Sequence, residues 1–297
     1  MRVSALGLGV LCAVGVFCAA QADSTSRPDA AAQAKSQLSA KQLFGNMTTP
    51  SPQASESIGF YAKGCLAGAQ ALSADGEHWQ RMRLSRHRQW GHPALLAFLT
   101  RYSAQAAQAT GWPGILVGDM SQVRGGPMLG GHASHQIGLD VDIWYEPMPD
   151  TPQTAEQREQ RAAISLVRAD RMDINPNTWT PAHRQLLEAA ALQPEVQRIF
   201  VNAAIKKQLC RTAKGSDWMR KVRPYYGHDD HFHVRLMCPE GEAQCTAQEA
   251  TPEGDGCDAT LDWWFSDEAL HPNPGPAKPP LGLGDLPLRC AVVLNSN

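Results

Sequence analysis

Two short segments of the chain alternate between apolar and polar residues, and each predicts a β-strand. In the first, from Leu139 to Tyr145, one face carries apolar side chains and the opposite face carries Asp140 and Asp142. A glycine-rich loop with two histidines, His132 and His135, leads into this strand. Two carboxylates on one face of a strand need partners that neutralise or use their charge.

The second segment, residues 231–236, has the same period. Its polar face carries His231, His233 and Arg235, and His228 lies just before it. Together with the first strand and its loop, this segment contains half of the chain's ten histidines. If the two strands lie in one sheet, their polar faces coincide, and histidines and carboxylates converge on one wall.

Convergence of three histidines and an aspartate favours a divalent metal ion, which compensates a buried carboxylate and uses the lone pairs of the imidazoles. Imidazole and carboxylate ligands without thiolate suit zinc, and three protein ligands leave a position open for water. The alternative is a structural cluster held by hydrogen bonds alone. Spacing by itself does not choose between Asp140 and Asp142, nor does it say which histidines bind.

The remaining pattern predicts helices around this core. Residues 93–109 predict a helix with proline in its first turn, Thr180-Pro181 starts a second, and residues 194–209 predict a third. A short buried strand is expected over residues 114–120. The predicted fold class is α+β, with a small, mostly antiparallel sheet that bears the zinc site and is flanked by helices and disulfide-tied loops.

The N-terminus has the features of an export signal. Arg2 supplies a charged start, residues 5–20 are apolar, and Ala20-Gln21-Ala22 is a cleavage site between small residues. A lipoprotein is the weaker alternative, because the large residues Leu11 and Phe17 precede the two cysteines of this region. The chain then divides into a signal peptide (residues 1–22), a flexible lead-in (23–55) and one packed domain with a proline-rich tail (56–297).

Composition narrows the function classes. The chain has 297 residues, of which 43% are hydrophobic and 19% are charged, so a packed core is expected. A net charge of −2 gives no support for nucleic-acid binding. Apart from the signal, no segment is apolar over the roughly 18 residues that a membrane span needs. The sequence carries no signal for an oligomeric state.

Six cysteines remain after removal of the signal, and an even number in an exported chain is typical of disulfides. Six cysteines allow fifteen connectivities. In the pairing that we take as a working guess, Cys238–Cys245 closes a short loop, Cys65–Cys290 ties the two ends of the domain, and Cys210–Cys257 is the pair that remains. Metal binding by cysteines is the rival interpretation, but no C-x-x-C pair supports it.

The two histidine segments resemble the zinc signature of the lysostaphin, D-Ala-D-Ala carboxypeptidase and hedgehog-type peptidases. In detail the chain is most similar to the penicillin-insensitive murein endopeptidases of Gram-negative periplasms. The similarity rests on Gly-Gly-x-x-Ser-His-Gln-x-Gly-Leu-Asp-Val-Asp-Ile at 130–143, His-Asp-Asp-His-Phe-His-Val-Arg-Leu at 228–236, Met-Arg-Leu-Ser-Arg at 82–86 and Trp-Gly-His-Pro at 90–93. It spans residues 57–290, and the pattern of six cysteines fits it.

This resemblance implies a site and its ligands. It implies one zinc ion per chain, held by His135, Asp142 and His233, within a zinc metallopeptidase domain that covers residues 56–297. Asp140 is then left as an acid that supports the ligands or the structure. The alternation of the strand alone does not make this distinction between the two aspartates.

The resemblance also implies the catalytic groups. His231 is expected to act as general base or to stabilise the transition state, while His132 and His228 are expected to line the cleft, with His228 or His132 assisting the oxyanion. Zinc in a site with three protein ligands acidifies a water to a pKa of about 7, so no covalent intermediate is needed. Accordingly, the chain contains neither Ser-x-x-Lys nor Gly-x-Ser-x-Gly.

The implied activity is that of a periplasmic DD-endopeptidase, insensitive to β-lactams, that hydrolyses the D-alanyl–meso-diaminopimelate cross-links of peptidoglycan. The cross-linked peptides are its expected partners. Because the products are rich in carboxylates, Arg83 and Arg86, with Arg88 nearby, are candidate substrate contacts. A solvated basic edge is the simpler interpretation of these arginines.

Two other functions remain as alternatives. One is a zinc D,D-carboxypeptidase or dipeptidase that acts on the ends of stem peptides, although that branch places a glutamate near its last histidine, where this chain has His231. The other is an inactive zinc-containing module that binds the cell wall. The intact pair His231-x-His233 argues against the second alternative.

Overall fold

The structure is a computed structural model that describes residue 1, residues 38–276 and residues 279–297. The predicted signal peptide and most of the predicted lead-in lie outside the described residues, apart from Met1. In the part of the chain that is described, no helix is long and apolar enough to cross a membrane.

The described residues form α-helices and β-strands in a mixed order. The strands β1 to β11 are Glu56–Phe60, Lys63–Ala67, Gln70–Ala71, Asp75–Gly76, Trp79–Arg81, Trp90–Gly91, Ile115–Val117, Asp140–Pro147, Val196–Val201, Val222–Pro224 and His231–Leu236. The helices α1 to α8 are Ala40–Gly45, Pro93–Thr110, Ala155–Gln160, Pro181–Ala191, Ala203–Ala213, Ala259–Asp262, Asp267–Leu270 and Leu288–Asn295. Short 3-10 helices cover Leu84–Arg86, Asp217–Lys221, Trp263–Phe265 and Leu283–Asp285.

The main sheet has seven strands in the order β10-β9-β11-β8-β7-β5-β4, so it is larger than the small sheet that we predicted. Its neighbours are antiparallel except for the pairs β10–β9 and β5–β7, which are parallel. The two strands read from the sequence, β8 and β11, are adjacent and antiparallel at its centre. The two strands therefore lie in one sheet, as the shared polar wall requires.

The register of β8 and β11 explains how the wall forms. His233 lies opposite Asp142, Arg235 lies opposite Asp140, and His231 lies opposite Trp144. The apolar faces of the same strands supply Val141, Ile143, Phe232 and Val234, all fully buried. Burial of each such side chain stabilises the fold by about 1.5–3 kcal/mol. The hydrophobic core thus anchors the backbone that presents the polar wall.

Helix α2 packs on this core close to where it was predicted. Proline occupies its first turn, the side chain of His92 accepts a hydrogen bond from the Ala94 N–H, and Gly111 ends the helix with a φ of 74°. Tyr102 is fully buried, and its hydroxyl donates to the carbonyl of Leu186 in α4 at 3.0 Å. The two helices are therefore tied together above the sheet.

The helix predicted over residues 194–209 is only half correct. Residues 196–201 form strand β9, and the helix α5 begins after Asn202, whose side chain accepts from the Ala204 N–H at 3.0 Å. β9 pairs with β10 and β11, which follow it in the chain. Apolar spacing over these residues fits both structures, and the strand forms because the sheet offers partners on both edges.

Residues 38–55 differ from the predicted flexible lead-in. Helix α1 buries Ala40, Leu43 and Phe44 against the C-terminal helix α8 and the disulfide of Cys65. The buried Arg124 joins the two ends of the domain, because its guanidinium donates to the carbonyls of Thr49, Val293, Leu294 and Ser296. The packed part of the chain therefore begins before residue 56.

Three disulfides join the cysteines in the pairs that we took as a working guess. They connect Cys65 with Cys290, Cys210 with Cys257 and Cys238 with Cys245. The first ties β2 to α8, and the second ties α5 to the loop before α6. A closed loop stabilises the fold mainly by restricting the unfolded chain.

A buried lysine on α5 leads to a prediction on stability. Lys206 is fully buried and donates to the carbonyls of Met219 at 2.8 Å and Asp255 at 2.5 Å. Burial, with Arg223 nearby, lowers its pKa from 10.5 to about 7. Between these two values the unfolded chain holds a proton that the folded protein lacks, so stability should rise with pH.

We expect this pH effect to disappear in Lys206→Met. From pH 7 to pH 9, the free energy of unfolding of the wild type should rise relative to that of the variant, by at most about 1.4 kcal/mol per pH unit. Urea unfolding at both pH values measures this difference, with the exposed Lys41→Met as the matched control. A difference that is independent of pH would show that Lys206 keeps its charge in the folded state.

Candidate metal centre

The polar wall of β8 and β11 gathers around one carboxylate oxygen. Asp142 Oδ1 lies 3.3 Å from His135 Nε2, 3.6 Å from His233 Nδ1 and 3.9 Å from His231 Nε2. His135 arrives from the loop before β8, and the other two histidines come from β11. All three sequence-predicted metal ligands are thus brought to the same point.

In a structural cluster held by hydrogen bonds, the nitrogen and oxygen atoms at this point would be paired with one another. Asp142 Oδ1 and both ring nitrogens of His135 are buried, and none of the three atoms has a hydrogen-bond partner among the described residues. Leaving buried polar groups unpaired costs about 1–3 kcal/mol each, and more for a charged group. A divalent cation satisfies the carboxylate and the imidazole lone pairs together, so these residues fit a metal ion better than the structural alternative.

His132 stands closer to the centre than a residue that merely lines the cleft. One ligand atom each from His132, His135 and Asp142 falls within 4.8 Å of the others. His132 Nδ1 is 3.5 Å from Asp142 Oδ2, while its Nε2 is 2.9 Å from Asp119 Oδ2. A carboxylate behind a histidine fixes the ring and frees its other nitrogen for a metal. His132 is therefore a further candidate ligand.

Asp140 positions two of the proposed ligands, His135 and His233, through direct contacts. It is fully buried, and its two oxygens accept from Nε and Nη2 of Arg235 at 2.8 and 3.0 Å. The backbone N–H of His135 also donates to Asp140, at 3.0 Å, and His233 Nε2 lies 3.1 Å away. Asp140 thereby turns Nδ1 of His233 towards Asp142.

The backbone of the loop before β8 is held in an uncommon conformation. His135 has a φ of 66°, in the left-handed region that few residues other than glycine adopt. Gly138 has a φ of 74°, and a Cβ at this position would lie 2.5 Å from the side chain of Leu66. The hydrogen bond from the His135 N–H to Asp140 stabilises this turn. In this conformation the His135 ring lies next to Asp142.

The charges of the centre suit a cation. Although burial alone favours the neutral acid, the rings of His135 and His231 hold the pKa of Asp142 well below its usual range. Burial lowers the pKa of His233 to about 4, so this imidazole is neutral at pH 7 and its lone pair is available. Burial likewise lowers the pKa of His135, but Asp142 and Asp140 outweigh it and raise that pKa.

His231 stands beside the ligands and has a carboxylate of its own. Its Nδ1 lies 2.6 Å from Asp230 Oδ1, so that nitrogen carries the proton and Nε2 faces the centre. Burial alone would lower its pKa, but Asp142 and Asp230 raise it to about 9. A cation bound at Asp142 would offset the charge of that carboxylate and would favour the neutral form of His231 that a general base needs.

His228 lies on the other side of His231, with 5.1 Å between their ring centroids. Its Nδ1 is 2.7 Å from the carbonyl oxygen of Tyr226, which can only accept, so Nδ1 holds the proton. Burial lowers the pKa of His228, which favours the neutral ring. The Nε2 of a neutral ring is then an acceptor, so His228 is poorly suited to donate to an oxyanion.

The arginines proposed as substrate contacts have partners within the fold. Arg83 donates to the carbonyl of Arg161 at 2.9 Å and stacks over Trp144 at 5.5 Å. Arg86 donates to Asp119 at 3.1 Å, and Arg88 donates to Gln122 at 2.8 Å. Arg86 nevertheless keeps half of its side chain exposed, at 53%. Of the predicted pair, Arg86 is therefore the one connected to the centre.

Sequence reasoning missed two residues that orient histidines of the centre. Asp230 precedes His231 directly, so its place in the Asp-Asp-His run was an available signal. Asp119 follows strand β7 and has no pattern that marks it. Only the folded chain brings Asp119 to His132, thirteen residues further on, and to Arg86.

Comparison with known proteins agrees with the geometry. Residues 57–295 match the sequence model of the penicillin-insensitive murein endopeptidases, family M74 of the peptidases. The chain is 44% identical over 234 residues to the penicillin-insensitive murein endopeptidase of Citrobacter koseri, an alignment that covers 78% of this chain and 83% of the relative. The same identity and coverage hold for the proteins of that name from Escherichia coli O6:K15:H31 and Escherichia coli SE11.

Proposed function

Because the chain belongs to the penicillin-insensitive murein endopeptidase family, we propose that it uses one zinc ion to hydrolyse the D-alanyl–meso-diaminopimelate cross-links of peptidoglycan. The protein is a metallopeptidase that acts on murein. The observation that carries the zinc site is the buried Asp142 Oδ1, which has no hydrogen-bond partner in the described part of the chain and faces three imidazole nitrogens.

In this proposal His135, Asp142 and His233 hold the ion, and His132 is placed to add a fourth ligand. When bound, zinc supplies Lewis acidity, which lowers the pKa of a coordinated water and polarises the scissile carbonyl. Asp140 and Asp119 fix the orientation of the ligand rings through the contacts given above. Imidazole and carboxylate donors without a thiolate favour zinc over softer metals, and this choice of metal is part of the proposal.

His231 moves the proton in this mechanism. Its Nε2 accepts a proton from the attacking water and returns it to the leaving amine, while Nδ1 stays bonded to Asp230. The carboxylate of Asp230 stabilises the imidazolium that forms between these two steps. His228 has a free acceptor at Nε2, which suits a contact with an N–H group of the substrate.

Contacts with the substrate are proposed for two arginines. Arg86 is half exposed next to the pair of Asp119 and His132, so its guanidinium is placed to attract a carboxylate of the cross-linked peptide. Arg83 already donates to a carbonyl, which leaves it fewer donors for this task. We also propose export to the periplasm by a cleavable signal over residues 1–22, which agrees with three disulfides, since such bonds persist in oxidising compartments.

Removal of the metal tests the proposed function. We expect a chelator to lower the cleavage of purified cross-linked muropeptide dimers by about 100-fold or more, because Lewis-acid assistance is worth several kcal/mol. Addition of zinc should restore the activity, and chelator that is already saturated with zinc serves as the control. Full activity in the presence of chelator contradicts the zinc mechanism.

The same digestion separates the endopeptidase from its alternatives. An endopeptidase converts each dimer into two monomers, whereas a D,D-carboxypeptidase or dipeptidase shortens monomeric stem peptides and leaves the dimer intact. Zinc binding without any cleavage identifies an inactive wall-binding module. Chromatography of the products on dimers and on monomeric pentapeptides therefore assigns one of the three functions.

A further inference from the structure

A cavity lies next to the loop that carries His228. It has a volume of about 510 Å³ and lies between residues 165–171, the loop Tyr225–Asp229 and the segment that contains Trp264 and Leu270. None of the residues assigned to the zinc site lines it. Its two flanking loop residues, Gly227 and Asp229, enclose His228 in the chain.

Aromatic rings form one wall of this cavity. Tyr226 and Trp264 lie edge to face with 4.9 Å between their centroids, and Tyr225 is 6.0 Å from Tyr226 and 6.5 Å from Trp264. Tyr225 and Tyr226 are 51% and 40% exposed, so both rings are accessible to a ligand in the cavity. Exposed aromatic rings gathered in a concave site mark a place where a ligand binds.

The wall that carries Trp264 is tied to the rest of the domain. The disulfide Cys210–Cys257 ties the preceding loop to α5, and the ammonium of Lys207 on α5 lies 4.7 Å from the ring centroid of Phe265. Beyond Phe265, Ala269 is buried in α7. A preorganised wall loses little entropy when it binds a ligand, as expected of a built site.

Polar groups line the rim of the cavity. The guanidinium of Arg168 pairs with Asp170 and is 51% exposed, and that of Arg171 donates to the carbonyl of Leu270. Asp229 accepts from the hydroxyl of Ser165 at 2.6 Å. Aromatic faces inside and hydrogen-bonding groups at the rim match a molecule with apolar faces and polar edges. A pyranose ring has this form.

The distance from His228, next to the metal centre, to Trp264 fits a sugar attached to the substrate. Ring contacts of 5.8 and 6.5 Å connect His228 with Trp264 through Tyr225. An extended stem of three or four residues covers roughly 10–14 Å, at about 3.3–3.6 Å per residue. A cross-link bound at the zinc site can therefore place the sugar that bears its stem peptide in this cavity.

We propose that the cavity of Tyr225, Tyr226 and Trp264 binds an N-acetylated amino sugar of the glycan strand while the cross-link lies at the metal centre. This inference rests on the proposed function, since it names a second part of the same substrate. The sugar stacks on Trp264 and Tyr226, and its hydroxyl and amide groups bond at the rim. The site then selects peptides that are still attached to glycan.

Paired substrates test the proposal. Cross-linked dimers that carry their disaccharides are compared with the same dimers after an amidase has removed the sugars. We expect the wild type to show a KM about ten-fold lower for the dimers with sugars. In Trp264→Ala and in Tyr226→Ala the KM values for the two substrates should become about equal, and kcat/KM on the sugar-free peptide should stay unchanged. Leu192→Ala, which removes a side chain that is 63% exposed and lies outside the cavity, is the control and should keep the preference.

Equal KM values for both substrates in the wild type overturn the proposal, as does a preference that survives in both cavity variants. Loss of activity on the sugar-free peptide in Arg168→Gln, without a change in sugar preference, assigns the cavity to a peptide carboxylate instead. Thermal unfolding checks that each variant is folded. If Trp264→Ala does not fold, the comparison of KM values is made with Tyr226→Ala alone.

A binding measurement separates this proposal from the proposed function. A tetramer of β-1,4-linked N-acetylglucosamine is titrated into the protein while tryptophan fluorescence is recorded. A saturable change in the wild type and in Leu192→Ala that is absent in Trp264→Ala supports the sugar site, even if neither dimer is cleaved. If neither dimer is cleaved, the proposed function fails, and the absence of a saturable change in the wild type overturns the sugar site.

Discussion

Replacing His231 with alanine is expected to lower kcat for cleavage of cross-linked muropeptide by about 10²–10⁴-fold, the usual contribution of a positioned general base. His231 touches the centre through Nε2, 3.9 Å from Asp142 Oδ1, but the proposal does not make it a ligand. The zinc content of purified His231→Ala, measured by elemental mass spectrometry, should therefore stay at that of the wild type. KM should change little.

Two further variants sharpen this test. Asp230→Asn keeps the ring of His231 but weakens the support at Nδ1, so a smaller loss of kcat is expected. His271→Ala is the matched control, because His271 is 70% exposed and pairs with Asp267 on the surface. Loss of zinc from His231→Ala would make His231 a ligand, and unchanged cleavage would remove its proposed role.

The second large effect is expected at Asp140. The change Asp140→Asn removes the charge that compensates the buried guanidinium of Arg235 and places an amide where donors now point. Breaking one side of a buried ion pair costs about 3–5 kcal/mol of stability. It also loosens the rings of His135 and His233, and loss of a residue that orients ligands typically weakens metal binding about 10–100-fold.

Urea unfolding and competition with a zinc chelator measure these two effects separately. The control is Glu188→Gln, which removes an ion pair with Arg184 on the surface of α4, where about 0.3–0.5 kcal/mol is expected. Zinc affinity that remains that of the wild type in a folded Asp140→Asn protein would show that Asp140 supports the fold alone. Stability equal to that of the control would contradict the buried pair.

The two aspartates of β8 illustrate why tertiary structure was needed. Each lies between two apolar residues of an alternating strand, so the alternation by itself does not distinguish them. In the folded chain, both oxygens of Asp140 accept hydrogen bonds from Arg235, whereas Asp142 Oδ1 accepts none from any residue that the structure describes. Family resemblance had implied Asp142 as the ligand. The physical difference lies in a residue that is 95 positions away in the chain.

Sequence reasoning was weaker where a pattern fits two structures. Residues 196–201 carry apolar side chains at spacings that suit a helix or a strand, and the pairing with β10 and β11 decided for the strand. Residues 38–55 were predicted to belong to a flexible lead-in, yet Leu43 and Phe44 lie buried against α8 from the other end of the domain. In both places the deciding contacts join distant parts of the chain.

The sequence by itself determined strand β8 with its two aspartates, strand β11 with its two histidines, the helix after Pro93 and membership of the family, because each depends on a local period or on a motif of adjacent residues. Only the tertiary structure decided how the centre is completed. Asp119 behind His132, Arg235 on Asp140 and the aromatic cavity at Trp264 all depend on contacts between segments far apart in the chain. Such contacts leave no local pattern, because they form only when the sheet and its loops pack together.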